Sequence, residues 1–277
     1  MADLSESARP ELCALPRLRL GFCQTVVVVG THLDEELCAV GGLLASLAAA
    51  RKDVRVLAVT DGDAATDGPR YDGPAHSRDG AANGSDDGAW NARRARALAA
   101  AYQHLGLDPG IRYRLALGSG QVRRAEHDVL AALSEVLGYV DRCGLVCVAP
   151  WPGDSDPDHA AVGRAAMVAA RAYHARMLHY SITAWGDGAP PVLPEGRARR
   201  FSLPGALGLR KYQALRYLHR RSHPHPAPPE ARDTGGDTGG DTAGGGELHA
   251  CEVFLTTAEQ GAHPVEPHHF GGQGRHA

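Results

Sequence analysis

Two short stretches concentrate the side chains that could do chemistry. The first is Thr31-His32-Leu33-Asp34-Glu35-Glu36, and the second is Trp151-Pro152-Gly153-Asp154-Ser155-Asp156-Pro157-Asp158-His159. His32 and His159 can each offer an imidazole nitrogen, and Glu35 or Asp34 can offer an oxygen. Two histidines and one carboxylate with the fourth position left to water form a catalytic zinc arrangement. A second carboxylate beside such an ion can take the proton of that water, so the set has the parts of a hydrolytic site. Each residue also has a plainer role to weigh. A lone histidine is more often a satisfied or surface residue. Asp34 could be the N-cap of a following helix. Glu35 could be a solvated first-turn carboxylate favoured by the helix dipole. Asp156 and Asp158 could be turn and cap residues, and Asp158 could orient His159 from behind. The clustering of acids around both histidines favours metal ligation.

The elements that must hold these stretches are legible from the apolar pattern. Thr25–Gly30, TVVVVG, is a continuous β-branched run of the kind found in a parallel strand covered on both faces. Glu35–Arg51 reads as a helix and Val54–Thr60 as a second strand, which makes a βαβ unit. The alternation continues with helix 89–105, strand 111–115, helix 124–141, strand 145–149, helix 159–175 and strand 177–183. The fold class expected is therefore α/β: a Rossmann-like, mostly parallel open sheet with helices on both faces and right-handed crossovers. Each chemical stretch directly follows a strand, at the carboxyl end where open α/β sheets gather ligands. Further on, 199–203 reads as a strand, 206–221 as a helix and Cys251–Thr257 as a late strand returning to the body.

The expected organisation is an N-terminal extension 1–23 and an α/β domain 24–221. A Gly/Asp/Pro-rich linker 222–246, a returning strand 247–260 and a tail 261–277 follow. The polar stretch 61–88 is a long loop, which in a compact domain is usually functional or disordered. Composition narrows the function classes. The chain has 277 residues, 43% of them hydrophobic and 22% charged, as an ordinary globular protein does. A net charge of -3 and 5% aromatics give neither the basic field nor the stacking platforms of a nucleic-acid binder. No apolar run of about 18 residues predicts membrane insertion, and the N-terminus lacks a secretory pattern, so a cytoplasmic protein is expected. The 6 cysteines form no CxxC pair and read as reduced thiols, most of them buried. Arg93, Arg94 and Arg96 read as a solvated helix face, with Arg93 able to reach a substrate.

The two stretches resemble the metal motifs of the LmbE/PIG-L deacetylases. That family carries (A/P)HPDDE after its first strand with a Gly-Gly pair soon after, where this chain has THLDEE and Gly41-Gly42. The family's HPDH stands here as DPDH, in DPDHAAVGRAA. VRVLAVTDGDA, NARRARALAAAYQHLGL, RKYQALRYLH and ACEVFL are similar to further family segments, so the resemblance spans about residues 24–257. It implies that His32, Glu35 and His159 bind Zn2+ (or Fe2+) and that Asp34 is the general base. The position that helps stabilise the oxyanion is Asp156. It also implies removal of an N-acyl group, usually N-acetyl, from a glucosamine-like amino sugar or its small-molecule conjugate, with loop 61–88 over the site.

Three positions depart from the family pattern. Leu33 replaces a proline that supplies only backbone restraint. Glu35 replaces an aspartate, and its extra methylene must be absorbed where zinc–oxygen distances are about 2.0–2.2 Å. Asp156 replaces a histidine, and a carboxylate donates no hydrogen bond unless protonated; His76 in the long loop is a candidate substitute donor. These departures motivate one rival reading, a relative that keeps the fold but binds without cleaving. A nucleotide-binding Rossmann-like protein is the other rival, but no GxGxxG stands at the strand end, and Gly41-Gly42 reads better as close helix–sheet packing.

Overall fold

The computed structural model describes residues 14–32, 34–60, 87–181, 196–222 and 251–257. The expectations for loop 61–88 with His76, for Leu33, for most of the linker and for the tail fall largely or wholly outside these residues. Strands β1 (Thr25–Gly30), β2 (Asp53–Thr60), β3 (Arg112–Leu117), β4 (Leu145–Pro150), β5 (Arg176–Tyr180), β6 (Ala198–Ser202) and β7 (Cys251–Thr256) form one sheet, in the order β3-β2-β1-β4-β5-β7-β6. Helices α1 (Glu35–Ala49), α2 (Asp87–Leu105), α3 (Glu126–Tyr139), α4 (Pro157–Ala172) and α5 (Gly205–Ser222) cover its faces. The pairs β1–β2, β2–β3, β1–β4 and β4–β5 are parallel, whereas β7 runs antiparallel to both β5 and β6. This is the α/β, mostly parallel sheet that the alternating pattern predicts. The antiparallel closing strand is the feature that pattern could not supply.

The continuous apolar runs pack as expected for strands buried on both faces. Val26, Val28, Val54 and Val56 pack with Leu37, Leu44, Ala101 and Leu218 of α1, α2 and α5. Val27, Val29, Leu57 and Cys147 point the other way, onto Val129, Leu133, Val162 and Ala166 of α3 and α4. Gly163 lets α4 lie close to the end of β4: a Cβ there would stand 2.6 Å from the Pro150 carbonyl oxygen and 2.7 Å from the Pro152 nitrogen. Those neighbours are backbone and cannot swing aside. Among the described cysteines, Cys23, Cys147 and Cys251 are buried while Cys38 and Cys143 are exposed, and all are free thiols. No described helix is long and apolar enough to cross a membrane.

Candidate metal centre

The strand order brings the two motifs together. β1 and β4 are hydrogen-bonded neighbours, Thr25 against Leu145 through Val28 against Val148. The crossovers from β1 lead one way to β2 and β3, and those from β4 lead the other way to β5. The loops after β1 and β4 therefore part at the topological switch point, where such sheets open a crevice at their carboxyl edge. His32 follows β1 there and His159 opens α4, and their ring centroids are 5.4 Å apart.

His32, Asp156 and His159 each present a potential ligand atom, all within 4.8 Å of one another. Glu35, in the first turn of α1, lies beside this group rather than within it. Its Oε1 accepts from His159 Nε2 at 2.8 Å and its Oε2 from the His32 backbone N–H at 3.0 Å. Of the expected ligands His32, Glu35 and His159, the two histidines fall in this group and Glu35 does not; Asp156, expected on the oxyanion side, takes the carboxylate place in it. Asp156 is also the N-cap of α4: its Oδ1 accepts from the N–H of Asp158 at 2.7 Å and of His159 at 3.2 Å, with Pro157 at the first helical position.

Asp34 does not cap α1. It sits in left-handed backbone (φ 68) and its side chain makes no cap hydrogen bond. Burial raises its pKa to about 7, helped by the charges of Glu36 and Glu35 and opposed by Arg94 and Arg112. A carboxylate that gains a proton near neutrality suits general-base work. Glu36 beside it is fully buried and accepts from Tyr102 Oη at 2.6 Å and from Arg112 Nε at 3.4 Å. Arg94, read from the sequence as solvated, is partly buried and close enough to act on Asp34.

Several contacts were not visible in the sequence. Asp154, not Asp158, faces the far nitrogen of His159: Oδ1 lies 3.4 Å from Nδ1. Ser181 at the end of β5 donates to Asp154 Oδ2 at 2.7 Å, and the Asp156 N–H donates to Asp154 Oδ1 at 3.1 Å. Burial alone would lower the pKa of His159, but its hydrogen bonds with Asp154 and Glu35 outweigh that and raise it to about 10. Asp158 accepts instead from the Gly120 N–H at 2.6 Å, tying the loop after β3 to the site. The same loop places Ser119 Oγ 3.5 Å from His32 Nδ1, and Thr60 Oγ1 lies 3.3 Å from that nitrogen. A Gly-Ser-Gly run after a strand could have suggested this loop. Nothing local marks Ser181.

Residues 27–170, more than half of the chain, match the family model described as PIG-L: GlcNAc-PI de-N-acetylase. The chain belongs to the PIG-L family. No curated protein matches it. Solved structures of similar shape include the A40926 pseudoaglycone deacetylase Dbv21, 20% identical, covering 72% of this chain and 82% of that one with a TM-score of 0.48. The N,N'-diacetylchitobiose deacetylase of Pyrococcus horikoshii is 15% identical, with 79% and 75% covered and a TM-score of 0.48. The 4-carboxy-2-hydroxymuconate hydratase GalB of Pseudomonas putida KT2440 is 17% identical, with 71% and 83% covered and a TM-score of 0.49. The PIG-L assignment rests on residues 27–170, and those residues include both motifs.

Proposed function

We propose that this PIG-L family chain is a metal-dependent N-deacetylase acting on an N-acylated amino sugar or a small conjugate of one. The observation that carries the reading is the meeting of both motifs at the switch point, with His32, Asp156 and His159 offering ligand atoms within 4.8 Å. The donor set fits a transition-metal ion. Two imidazoles and carboxylate oxygen suit zinc or iron. Asp154 behind His159 is the carboxylate that metal-bound histidines characteristically have. His32 and His159 would hold the ion with the Asp156 carboxylate that lies within ligand distance of both, and Glu35, the ligand that the family pattern implies, stands against His159. Bound there, zinc or iron supplies Lewis acidity toward an amide carbonyl and lowers the pKa of water.

The chain's own groups divide the remaining work. Asp34 accepts the proton of the attacking water and returns one to the departing amine. Asp154 and Ser181 keep the His159 ring in one orientation. Asp156 spends Oδ1 on the α4 cap, which fixes where its other oxygen stands. Without a histidine at 156, hydrogen-bond donation to the developing oxyanion falls to a hydroxyl such as that of Ser119. The amino-sugar preference follows from the family description.

The test is amine release from a panel of N-acetylglucosaminides by the full-length protein, alongside its metal content. Release that disappears on chelation and in Asp34→Asn supports the reading. Stoichiometric metal with no release across the panel favours a binding protein, the alternative motivated by Glu35 and Asp156. A protein that takes up no zinc or iron would end the metal-dependent reading.

A further inference from the structure

Helix α1 is two helical segments joined at a break. Val40 leaves helical geometry (φ -130, ψ 16). In an unbroken helix the N–H groups of Gly42 and Leu43 would donate to the carbonyls of Cys38 and Ala39. Here both donate to one buried carboxylate on β7: Gly42 to Glu252 Oε1 at 2.6 Å and Leu43 to Glu252 Oε2 at 2.8 Å. Lys211 of α5 donates to the same Oε1 at 2.7 Å. The second half of α1 is thus capped from 210 residues away, by a charge that the helix terminus and Lys211 neutralise. The Gly-Gly pair has its reason here. A Cβ at Gly42 would collide with Leu203 and stand 3.0 Å from Glu252 Oε1; one at Gly41 would stand 3.3 Å from Lys211 Cγ.

The segment before the break is the one with the chemistry. Glu35 opens it, Asp34 precedes it, and the break sets its direction relative to the end of β1. A straight α1 would instead have the Gly42 and Leu43 N–H groups on the Cys38 and Ala39 carbonyls. We propose that Glu252 is a positioning residue: by capping the break it holds the turn carrying Asp34 and Glu35 against His159. The kinetic part of this inference rests on the deacetylase reading; the structural part does not.

The experiment compares full-length wild type and Glu252→Gln, whose amide can accept only one of the two N–H bonds, by hydrogen–deuterium exchange and steady-state kinetics. Amides 35–39 should exchange at least tenfold faster while β1 and β4 keep wild-type protection. The kcat should fall at least tenfold with KM within twofold, a split that general loosening does not produce. Wild-type exchange at 35–39, or equal acceleration across the whole sheet, overturns the proposal, as does an unchanged kcat in an active enzyme. Should Glu252→Gln not fold, Lys211→Met loosens the same clamp more gently and should move both readouts in the same direction, with no movement overturning it. If wild type releases no amine, the deacetylase reading fails, and exchange at 35–39 alone decides whether Glu252 positions the turn.

Discussion

Helix α4 starts with Asp156 in extended backbone (φ -74, ψ 123), its Oδ1 accepting from two N–H groups of the first turn. Helix α1 starts with Asp34 in left-handed backbone (φ 68), its carboxylate capping nothing. The two helices flank one site, yet one has its first N–H groups capped by its own Asp156, while the other meets tertiary partners at its Glu36 carboxylate and at its break. Left-handed backbone costs a non-glycine residue about 1–2 kcal/mol. That cost is borne because the chain around Asp34 is held from outside, by Tyr102 and Arg112 on Glu36 and by Glu252 across the break. The difference teaches how surroundings set a carboxylate's proton affinity. A carboxylate committed to amide bonds is a positioning group, while one buried without them stays basic, as Asp34 does with its pKa raised to about 7.

The comparison can be broken outright by removing the histidine that each terminus presents. His32→Ala and His159→Ala should each abolish stoichiometric metal in the purified protein, read by mass spectrometry; full metal in either would separate the two motifs. Next in size is Asp34→Asn. Asparagine tolerates left-handed backbone, so the melting temperature should hold while kcat falls by about 10²–10⁴. A variant that loses stability instead would make Asp34 structural after all.

A further test sharpens the contrast through pH. His179 is buried and neutral, its Nδ1–H donating to the Pro150 carbonyl at 2.9 Å, and burial lowers its pKa to about 4. The unfolded chain binds this proton from its ordinary value of 6.5 downward, so the stability contribution is present above 6.5 and lost as pH falls to about 4. The loss is about 3 kcal/mol at most. His159 has the opposite sign. Its stabilisation in the metal-free protein is present below 6.5 and fades as pH rises to about 10. Denaturant titrations across pH should therefore show His179→Gln flattening the acid limb only. Flattening of both limbs, or of neither, would refute the assignment. The smallest effect is at the conventional cap: Asp156→Ala should cost about 1 kcal/mol of stability and Asp156→Asn a few tenths. Both should weaken metal binding if the carboxylate stands beside the ion, and equal melting of the two variants would remove the cap role.

Much of this molecule could be read from local pattern. TVVVVG and LVCVAP are apolar on both faces because both faces are covered, and the helices between them follow from their Leu- and Ala-rich runs. The short strands expected over 177–183 and 199–203 form over 176–180 and 198–202, but an apolar run does not state its direction, so the antiparallel seat of β7 between β5 and β6 was not legible. Glu36, in the motif itself, read as one more acid until the fold put Tyr102 and Arg112 on it. Asp154 and Ser181 were missed because their bond joins residues 27 apart on different strand ends.

The sequence by itself determined which elements form and which side chains are the candidates for chemistry, because periodicity and ligand types are local properties of the chain. Tertiary structure decided that β1 and β4 are neighbours, and hence that His32 meets His159. It decided that Asp154 rather than Asp158 faces His159 Nδ1 and that Glu252 closes the break in α1. It also set the proton affinity of Asp34, since a buried charge answers to whatever lies within a few ångströms, however distant in sequence.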